Sequence, residues 1–556
     1  MEKKQTKYLI TFYKSLFCLI SIIFNINVLK AQTHSIILGR PTDVSITASI
    51  LFDYNVDCYL EYGTSSGIYT QIIPKFNNTA NIPDEVYIQN LKSNTKYFYR
   101  MQYRSVGVGS FISTPEYSFQ TQRALGSTFT FTVEADEHLY DATQGSPNLY
   151  KINLENQKKD KGDFMISLGD IFGDDHTPLT TTSLQMKAKH LFYRQFLGNI
   201  CHSDPFFICL GNHEGENDYF LNQTPPNNIA TYATLWRKYY YPNPFPNSFY
   251  SGDTIHEAYG MEQPQNYYSW TWGDALFVVL DVYRDQCDTS ANPKKWNWTL
   301  GYPQYQWLTN VLQNSTSTYK FVFAHHPNGQ QRGGINCAQL YEWGGNDSTG
   351  GVFGYHFNTR RPGWAKPIHK LMVDNGVNIV FQGHDHLFAK EILDGVVYQE
   401  VPMAADSTYK SGITDWGGYY KQNVLNGSGH LRVTVSNLCV NVDYVEAFLP
   451  ADTLGVNKNR AVPFSYQIGN GCNSSGISNL IKYDELGIFP NPTKNIITIK
   501  VPQELKDYEI RITNSLGETI IQTKSNVIDV SRVPQGIYFV KINSGNKVIT
   551  GKFVID

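Results

Sequence analysis

The sequence predicts a multidomain chain in which an α/β (α+β) core is flanked by N-terminal and C-terminal β-sandwich domains. Three observations carry this expectation. At 556 residues the chain is too long for one ordinary hydrophobic core and divides into about three or four domains. Both flanks consist of short β-type runs broken by turn clusters, with no long helical period. Between them lie continuous apolar runs, each followed at once by polar residues of the metal-binding kind, the pattern of buried strands that deliver side chains into one crevice.

The N-terminal flank shows strand-like runs at 44–52, 58–62, 86–91 and 97–103. Leu91, Ser93, Thr95, Tyr97 and Tyr99 fall at the spacing L-x-P-x-T-x-Y-x-Y, with Ser93 where proline is usual, and this resembles the signature of fibronectin type III modules. In such sandwiches a tyrosine folds its hydroxyl back onto the backbone at a corner.

Composition narrows the partners. Hydrophobic residues at 41% and charged residues at 17% describe a globular protein, not a disordered one. The formal net charge of -3 offers no basic footprint, so no nucleic-acid binding and no polybasic membrane contact are expected. Lys3, Lys4, Lys7 and Lys14 precede an apolar run at 16–29, and Ala31 offers a small residue for cleavage before Gln32, which reads as a signal peptide over 1–31. Asn25 and Asn27 interrupt a run already shorter than the ~20 apolar residues of a spanning helix, so no transmembrane segment is expected once the signal is removed. Of eight cysteines Cys18 leaves with the signal, and Cys58, Cys201, Cys209, Cys287, Cys337, Cys439 and Cys472 form an odd set with no C-x-x-C. The sparse spacing suits one or two disulfides in an oxidising compartment. Cys287 with Cys337 and Cys439 with Cys472 are the candidate pairs.

In the central region the runs at 129–133, 164–168, 206–210, 276–280, 321–323 and 377–381 are strands by length and composition. Their ends supply Asp136-Glu137-His138, Gly169-Asp170, Gly211-Asn212-His213-Glu214, His325-His326-Pro327 and Gly383-His384-Asp385-His386. Carboxylate, amide oxygen and imidazole together suit divalent metals such as Zn, Mn or Fe, and the absence of cysteine from the set argues against a structural zinc site. Asp136, His138, Asp170, Asn212, His325, His384 and His386 are more donors than one tetrahedral ion takes, whereas two ions sharing a carboxylate accommodate them.

The order D-x-H, G-D, G-N-H-E, H-x-P, G-H-x-H resembles the signature of the calcineurin-like metallophosphoesterase superfamily, over about 129–387. That resemblance implies a two-sheet core. It also implies a binuclear centre of divalent or trivalent transition-metal ions (Fe, Zn or Mn): Asp136, His138 and His386 on one ion, Asn212, His325 and His384 on the other, and Asp170 bridging. The activity implied is hydrolysis of a phosphate ester, a phosphomonoester first, by in-line attack of a metal-bridging hydroxide, with His213 protonating the leaving oxygen or holding a phosphate oxygen. Glu214 and Asp385 are expected to orient histidine ligands from behind. With a fibronectin-like module in front, the arrangement is also similar to purple acid phosphatases. Those carry G-D-x-x-Y with a metal-bound tyrosinate, where this chain reads Gly169-Asp170-Ile171-Phe172-Gly173, and they lack a counterpart of His138. The broader superfamily therefore fits better than the purple branch.

Two long irregular stretches, 216–265 and 328–367, are expected to shape the pocket. Their aromatics, among them Trp236, Trp343 and Trp364, are expected to pack within the loops more than to stack on substrate, and Arg332, Arg360 and Arg361 are the nearby cations. At the other end, Ile488-Phe489-Pro490-Asn491-Pro492, the run 510–517, Pro534 to Val540 and the run 552–555 resemble the C-terminal sorting domain of proteins exported by the type IX secretion system of Bacteroidota. That implies the type IX machinery as a partner and a secreted or cell-surface location, reached through the periplasm of a Gram-negative bacterium. The expected division is signal 1–31, sandwich 35–122, core 123–450, linker 451–483 and sorting domain 484–556. Two other readings stay open: a phosphodiesterase or nucleotide pyrophosphohydrolase on the same ligands, and a non-catalytic cell-surface binding protein.

Overall fold

The computed structural model describes residues 34–556 except 141–144, 173–179, 218–224, 287–293, 328–331, 349–350, 411–418, 454, 456, 470, 473–485, 502–504, 506, 515–517 and 545–546. The expected signal peptide lies outside the described residues. The chain forms two compact units, Met1–Asn470 and Gly471–Asp556.

Within the first unit, the N-terminal part is a pair of antiparallel sheets. One orders His34–Gly39, Ser45–Phe52 and Asp84–Gln89; the other orders Gln71–Asn78, Val56–Gly63 and Lys96–Ser105, the last also pairing with Ile112–Ser113 and Tyr117–Gln120. Ile46, Ala48, Ile50 and Phe52 alternate toward Leu60, Tyr97, Tyr99 and Met101 to make the sandwich core. Tyr97 accepts a hydrogen bond from the Lys92 amide at 2.9 Å, the corner geometry its motif suggests. The strand Ser45–Phe52 is buried along its whole length, because its second face meets the central domain. There the buried Arg194 donates to Ser35 Oγ at 2.9 Å and to the Ser49 hydroxyl and carbonyl at 3.0 and 2.8 Å.

The central domain repeats one construction twice. Phe129–Glu134, Met165–Ser167 and Phe206–Ile208 pair in parallel through the helices Pro147–Asp160 and Ser183–Leu197. Ala275–Val279, Tyr319–Phe323 and Ile379–Gln382 pair in parallel through Gly301–Asn314 and Ile368–Asp374. Parallel pairing demands such crossovers and sends every strand's C-terminal end to the same edge. Further strands, antiparallel except Val396–Glu400, which pairs in parallel with Ile379–Gln382, complete a six-stranded and an eight-stranded sheet. Alternate residues face the partner sheet: Phe131 packs against Phe277, Phe321, Phe323 and Phe381, with ring centroids 5.1–6.3 Å apart. The opposite faces take helices, Val278, Val322 and Val380 meeting Leu308, Leu312 and Leu371. Burial on both faces explains why the runs are continuously apolar. Losing one large ring here, as in Phe131→Ala, costs about 3–5 kcal/mol.

Three expectations need correcting. The stretch 216–265 is not irregular throughout: Ile229–Tyr240 is a helix, capped by Asn228 accepting from the Thr231 amide at 3.0 Å. The expected linker 451–483 contributes Phe464–Ile468, which pairs with Val440–Glu446 as an edge strand, so the core sheet runs past residue 450. An edge strand buries one face only, and its weak apolar signal resembles a linker. Finally, Cys337 is a buried thiol with Sγ 3.1 Å from the Arg332 carbonyl, not half of a disulfide, while Cys287 lies outside the described residues. Cys439 and Cys472 are both disulfide-bonded.

The second unit has its own core. Ile488–Phe489, Ile496–Ile499 and Val527–Asp529 form one sheet, and Thr519–Thr523, Glu509–Thr513, Gly536–Ser544 and Lys547–Ile555 form another. Ile497, Ile499, Ile510, Ile512, Val540, Ile542 and Phe553 fill the space between.

Candidate metal centre

Every core strand that ends in a ligand-type motif places it at the shared edge of the two sheets. Asp136 and His138 follow Phe129–Glu134, Asp170 follows Met165–Ser167, and Asn212 and His213 follow Phe206–Ile208. From the other sheet, His325 follows Tyr319–Phe323, and His384 and His386 follow Ile379–Gln382. Backbone bonds tie these loops to one another: Asp136 N donates to Gly169 O, His138 N to Asp170 O and Gly383 N to His325 O. The two sheets are also joined across the site. His384 N donates to Asp136 Oδ2 at 2.9 Å, and His325 Nδ1 lies 2.9 Å from Leu168 O.

Three groups of donor atoms result, each mutually within 4.8 Å: Asp136, His138 and His386; His138, Asp170 and His213; Asp170, His325 and His384. His138 Nε2 is 3.0 Å from His386 Nε2, and His325 Nε2 is 3.0 Å from Asp170 Oδ2. His213 lies with Nε2 3.8 Å from Asp170 Oδ2, and its amide donates to Asp170 Oδ1 at 2.8 Å. Asn212 Oδ1 accepts from the Tyr283 hydroxyl at 3.5 Å. Asp136, His138, Asp170, His384 and His386 all adopt left-handed backbone, φ 44–80°, which side chains other than glycine rarely do and which collects at functional sites. Gly383 is required by close approach, since a Cβ there would stand 2.6 Å from Asp136 Oδ2.

The electrostatics fit a cation. Burial and neighbouring imidazoles hold His138 and His384 well below their ordinary values, leaving neutral rings with lone pairs to give. Burial pulls His325 down as well, but the Asp170 carboxylate outweighs it and lifts His325 to about 9. The negative potential that keeps a proton on His325 is the one a metal ion would relieve. His384 Nε2 is buried with no hydrogen-bond partner among the described residues, a loss of about 1–3 kcal/mol that coordination removes. With Nδ1 of His325 directed at Leu168 O, its Nε2 is the nitrogen available to a metal.

The carboxylates behind the ligands do not do what the sequence suggested. Glu214 accepts from the amides of Asp170 at 3.1 Å, Ile171 at 2.8 Å and Gly211, so it clamps two loops by their backbones and not a histidine ring. Asp385 accepts from Arg332 Nη1 at 2.7 Å, Gly333 N at 2.8 Å and Tyr420 Oη at 2.7 Å. Backbone amides at tight turns are the stronger claim on a buried carboxylate when they have no partner in a sheet. Burial, then the Asp170 charge, raises Glu214 to about 7. His326 is fully buried, its ring 5.0 Å from His384. Phe172 is buried in an apolar cluster; Gly173, which stands at the tyrosine position of G-D-x-x-Y, lies outside the described residues together with Asp174, Asp175 and His176.

The loop cations have structural partners. Arg332 holds Asp385 and the His384 carbonyl, and Arg361 pairs with Glu342 at 2.7 Å. Trp364 stacks on Tyr305 at 4.0 Å and Trp343 is buried. Sequence reasoning missed Tyr283, Glu400 and Tyr420. Tyr283 follows the strand Ala275–Val279 as the ligand motifs follow theirs, but tyrosine is not a residue type that advertises a metal site. Glu400 accepts from Asp385 N at 3.0 Å.

Two packed sheets thus bring carboxylate, amide and imidazole donors to one common edge, a donor set suited to metal-dependent hydrolysis. Residues 129–388 match the family of calcineurin-like phosphoesterases, and the chain carries a domain of that family. Residues 487–556 match the secretion system C-terminal sorting domain, which marks the protein for export to the cell surface or beyond. Among solved structures the chain is similar to PhoD, with 16% identity, 78% of this chain and 90% of that chain covered, and a TM-score of 0.55. It is also similar to purple acid phosphatase PPD1 from yellow lupin (Lupinus luteus) seeds, with 14% identity, coverage of 78% and 74%, and a TM-score of 0.52. These likenesses show a shared fold. No curated protein sequence matches the chain. No helix among the described residues is long and apolar enough to cross a membrane.

Proposed function

We propose that the chain is an exported phosphomonoesterase with two transition-metal ions, Fe, Zn or Mn. The observation that carries this reading is the meeting of three donor groups at the junction of the sheets, linked to one another through His138 and Asp170. Asp136, His138 and His386 would hold one ion and Asn212, His325 and His384 the other, with Asp170 shared between them. When bound, such a pair supplies an activated water and neutralises phosphoryl charge in an in-line displacement. His213 is 13% exposed, against 1% for His138 and 0% for His325, so it stands at the mouth where a leaving group departs and serves as its proton donor. Glu214 and Asp385 keep the ligand loops in place.

The likeness to a lupin acid phosphatase supports the monoester. One observation favours a phosphodiesterase or nucleotide pyrophosphohydrolase instead: Arg332 and Arg361, cations that would welcome the second charge of a monoester, are engaged by Asp385 and Glu342. A panel on metal-reconstituted protein decides. p-Nitrophenyl phosphate should be hydrolysed at least about tenfold faster than bis(p-nitrophenyl) phosphate, since a site built for a dianion discriminates by differential transition-state binding. Equal rates or the reverse order favour the diesterase, and no turnover of either favours the binding protein.

The same reading assigns 1–31 as a signal removed on export through the periplasm, 35–122 as a fibronectin type III-like module, and the segment from 484 as a sorting domain handled by the type IX machinery. The Tyr97 corner and the separate core of the second unit support it.

A further inference from the structure

We propose that Tyr283 is a positioning residue that fixes the amide of Asn212 so that its oxygen, not its nitrogen, faces the second metal position. The inference rests on the binuclear reading above. An asparagine amide has two ends of nearly equal size, and only the oxygen can bind a metal. Something must therefore distinguish them. The carbonyl oxygen has two lone pairs, and a hydroxyl proton on one leaves the other for the ion.

Tyr283 is built for that task. Its ring is 2% exposed and stands 5.6 Å from Trp298, edge to face, and 5.9 Å from His325. Its hydroxyl faces Asn212 Oδ1 at 3.5 Å. The backbone beneath it is anchored by the buried Asp281, whose Oδ1 accepts from Tyr283 N at 2.9 Å and Arg284 N at 3.0 Å. Asp281 is held in turn by Asn266 Nδ2 at 2.9 Å and, through its own amide, by Gln304 Oε1 at 2.9 Å. The phenol thus comes from a rigid turn at the end of Ala275–Val279, a strand of the eight-stranded sheet, and reaches a ligand supplied by the six-stranded one.

The test compares Tyr283→Phe in two backgrounds. In the wild-type background the substitution keeps the ring and removes the hydroxyl. Equilibrium dialysis with Zn should then show one ion bound as before and the other about 10–100-fold more weakly, the usual cost of losing a partner behind a metal ligand. In an Asn212→Asp background both terminal atoms are oxygens, no orientation is needed, and Tyr283→Phe should leave both affinities unchanged. Equal weakening in both backgrounds, or loss of both ions with a lowered melting temperature of the metal-free protein, would show a merely structural tyrosine and overturn the proposal. Unchanged affinity with a raised KM would place the hydroxyl on substrate instead, and also overturns it. Wild-type protein that binds no Zn would sink the binuclear reading itself, a separate result.

Discussion

The two sheets of the core share a construction but bring different chemistry to the site. The six-stranded sheet supplies the oxygen donors, Asp136, Asp170 and Asn212, together with His138 and the outermost imidazole, His213. The eight-stranded sheet supplies imidazoles alone, His325, His384 and His386, with Tyr283 behind Asn212. Neither sheet holds a complete triad of the binuclear assignment. Asp136 and His138 need His386 from across the junction, and Asp170 needs His325 and His384. Charge explains the division of labour: carboxylates gathered on one sheet would repel, and imidazoles opposite them relieve that without a cation and make way for one with it. Burial alone would push the Asp170 carboxyl up, yet His325, His213 and His138 hold it well below its ordinary value.

The comparison breaks most completely at the shared residue. Asp170→Ala should lose both ions and nearly all hydrolysis, and elemental analysis still finding two per chain would refute the bridge. A smaller effect separates the halves. Asn212→Ala and His386→Ala, one ligand from each sheet, should each leave close to one ion per chain and slow an alkyl phosphate and p-nitrophenyl phosphate alike. If either variant retains two ions with wild-type affinity, its residue is not a ligand. The smallest change belongs to His213, which the assignment places on substrate and not on metal. His213→Ala should keep both ions and slow a sugar phosphate by about 10²–10⁴-fold, but p-nitrophenyl phosphate much less, because nitrophenolate leaves without a proton. Equal slowing of the two substrates would make His213 a phosphate-binding or supporting group.

Much of this site was legible from residue order. Each ligand motif follows a continuous apolar run, and the runs are the core strands, displaced by at most two residues at the ends. What stayed hidden has physical causes. The helix Ile229–Tyr240 is rich in aromatic and β-branched residues of modest helix propensity, and it is held by buried Arg237 pairing with Glu216. Glu214 looked like a partner for a ring, but the amides of Asp170, Ile171 and Gly211 lie nearer. Cys287 and Cys337 looked paired by their place at loop starts, a criterion that says nothing about the 4.4–6.8 Å between Cα atoms that a disulfide requires, roughly speaking.

The sequence by itself determined the donor inventory, the core strands that deliver it and the β character of the C-terminal unit, because apolar runs and motif spacing are local properties of the chain. Only the tertiary structure decided which donors meet. Asp136 and His384 are 248 residues apart and touch because two sheets close on the Phe131 cluster. The same closure forces five ligand-type residues into left-handed backbone, turns Glu214 onto peptide amides and brings the Tyr283 hydroxyl to Asn212. Such contacts depend on the packing of side chains from distant strands, which no local pattern encodes.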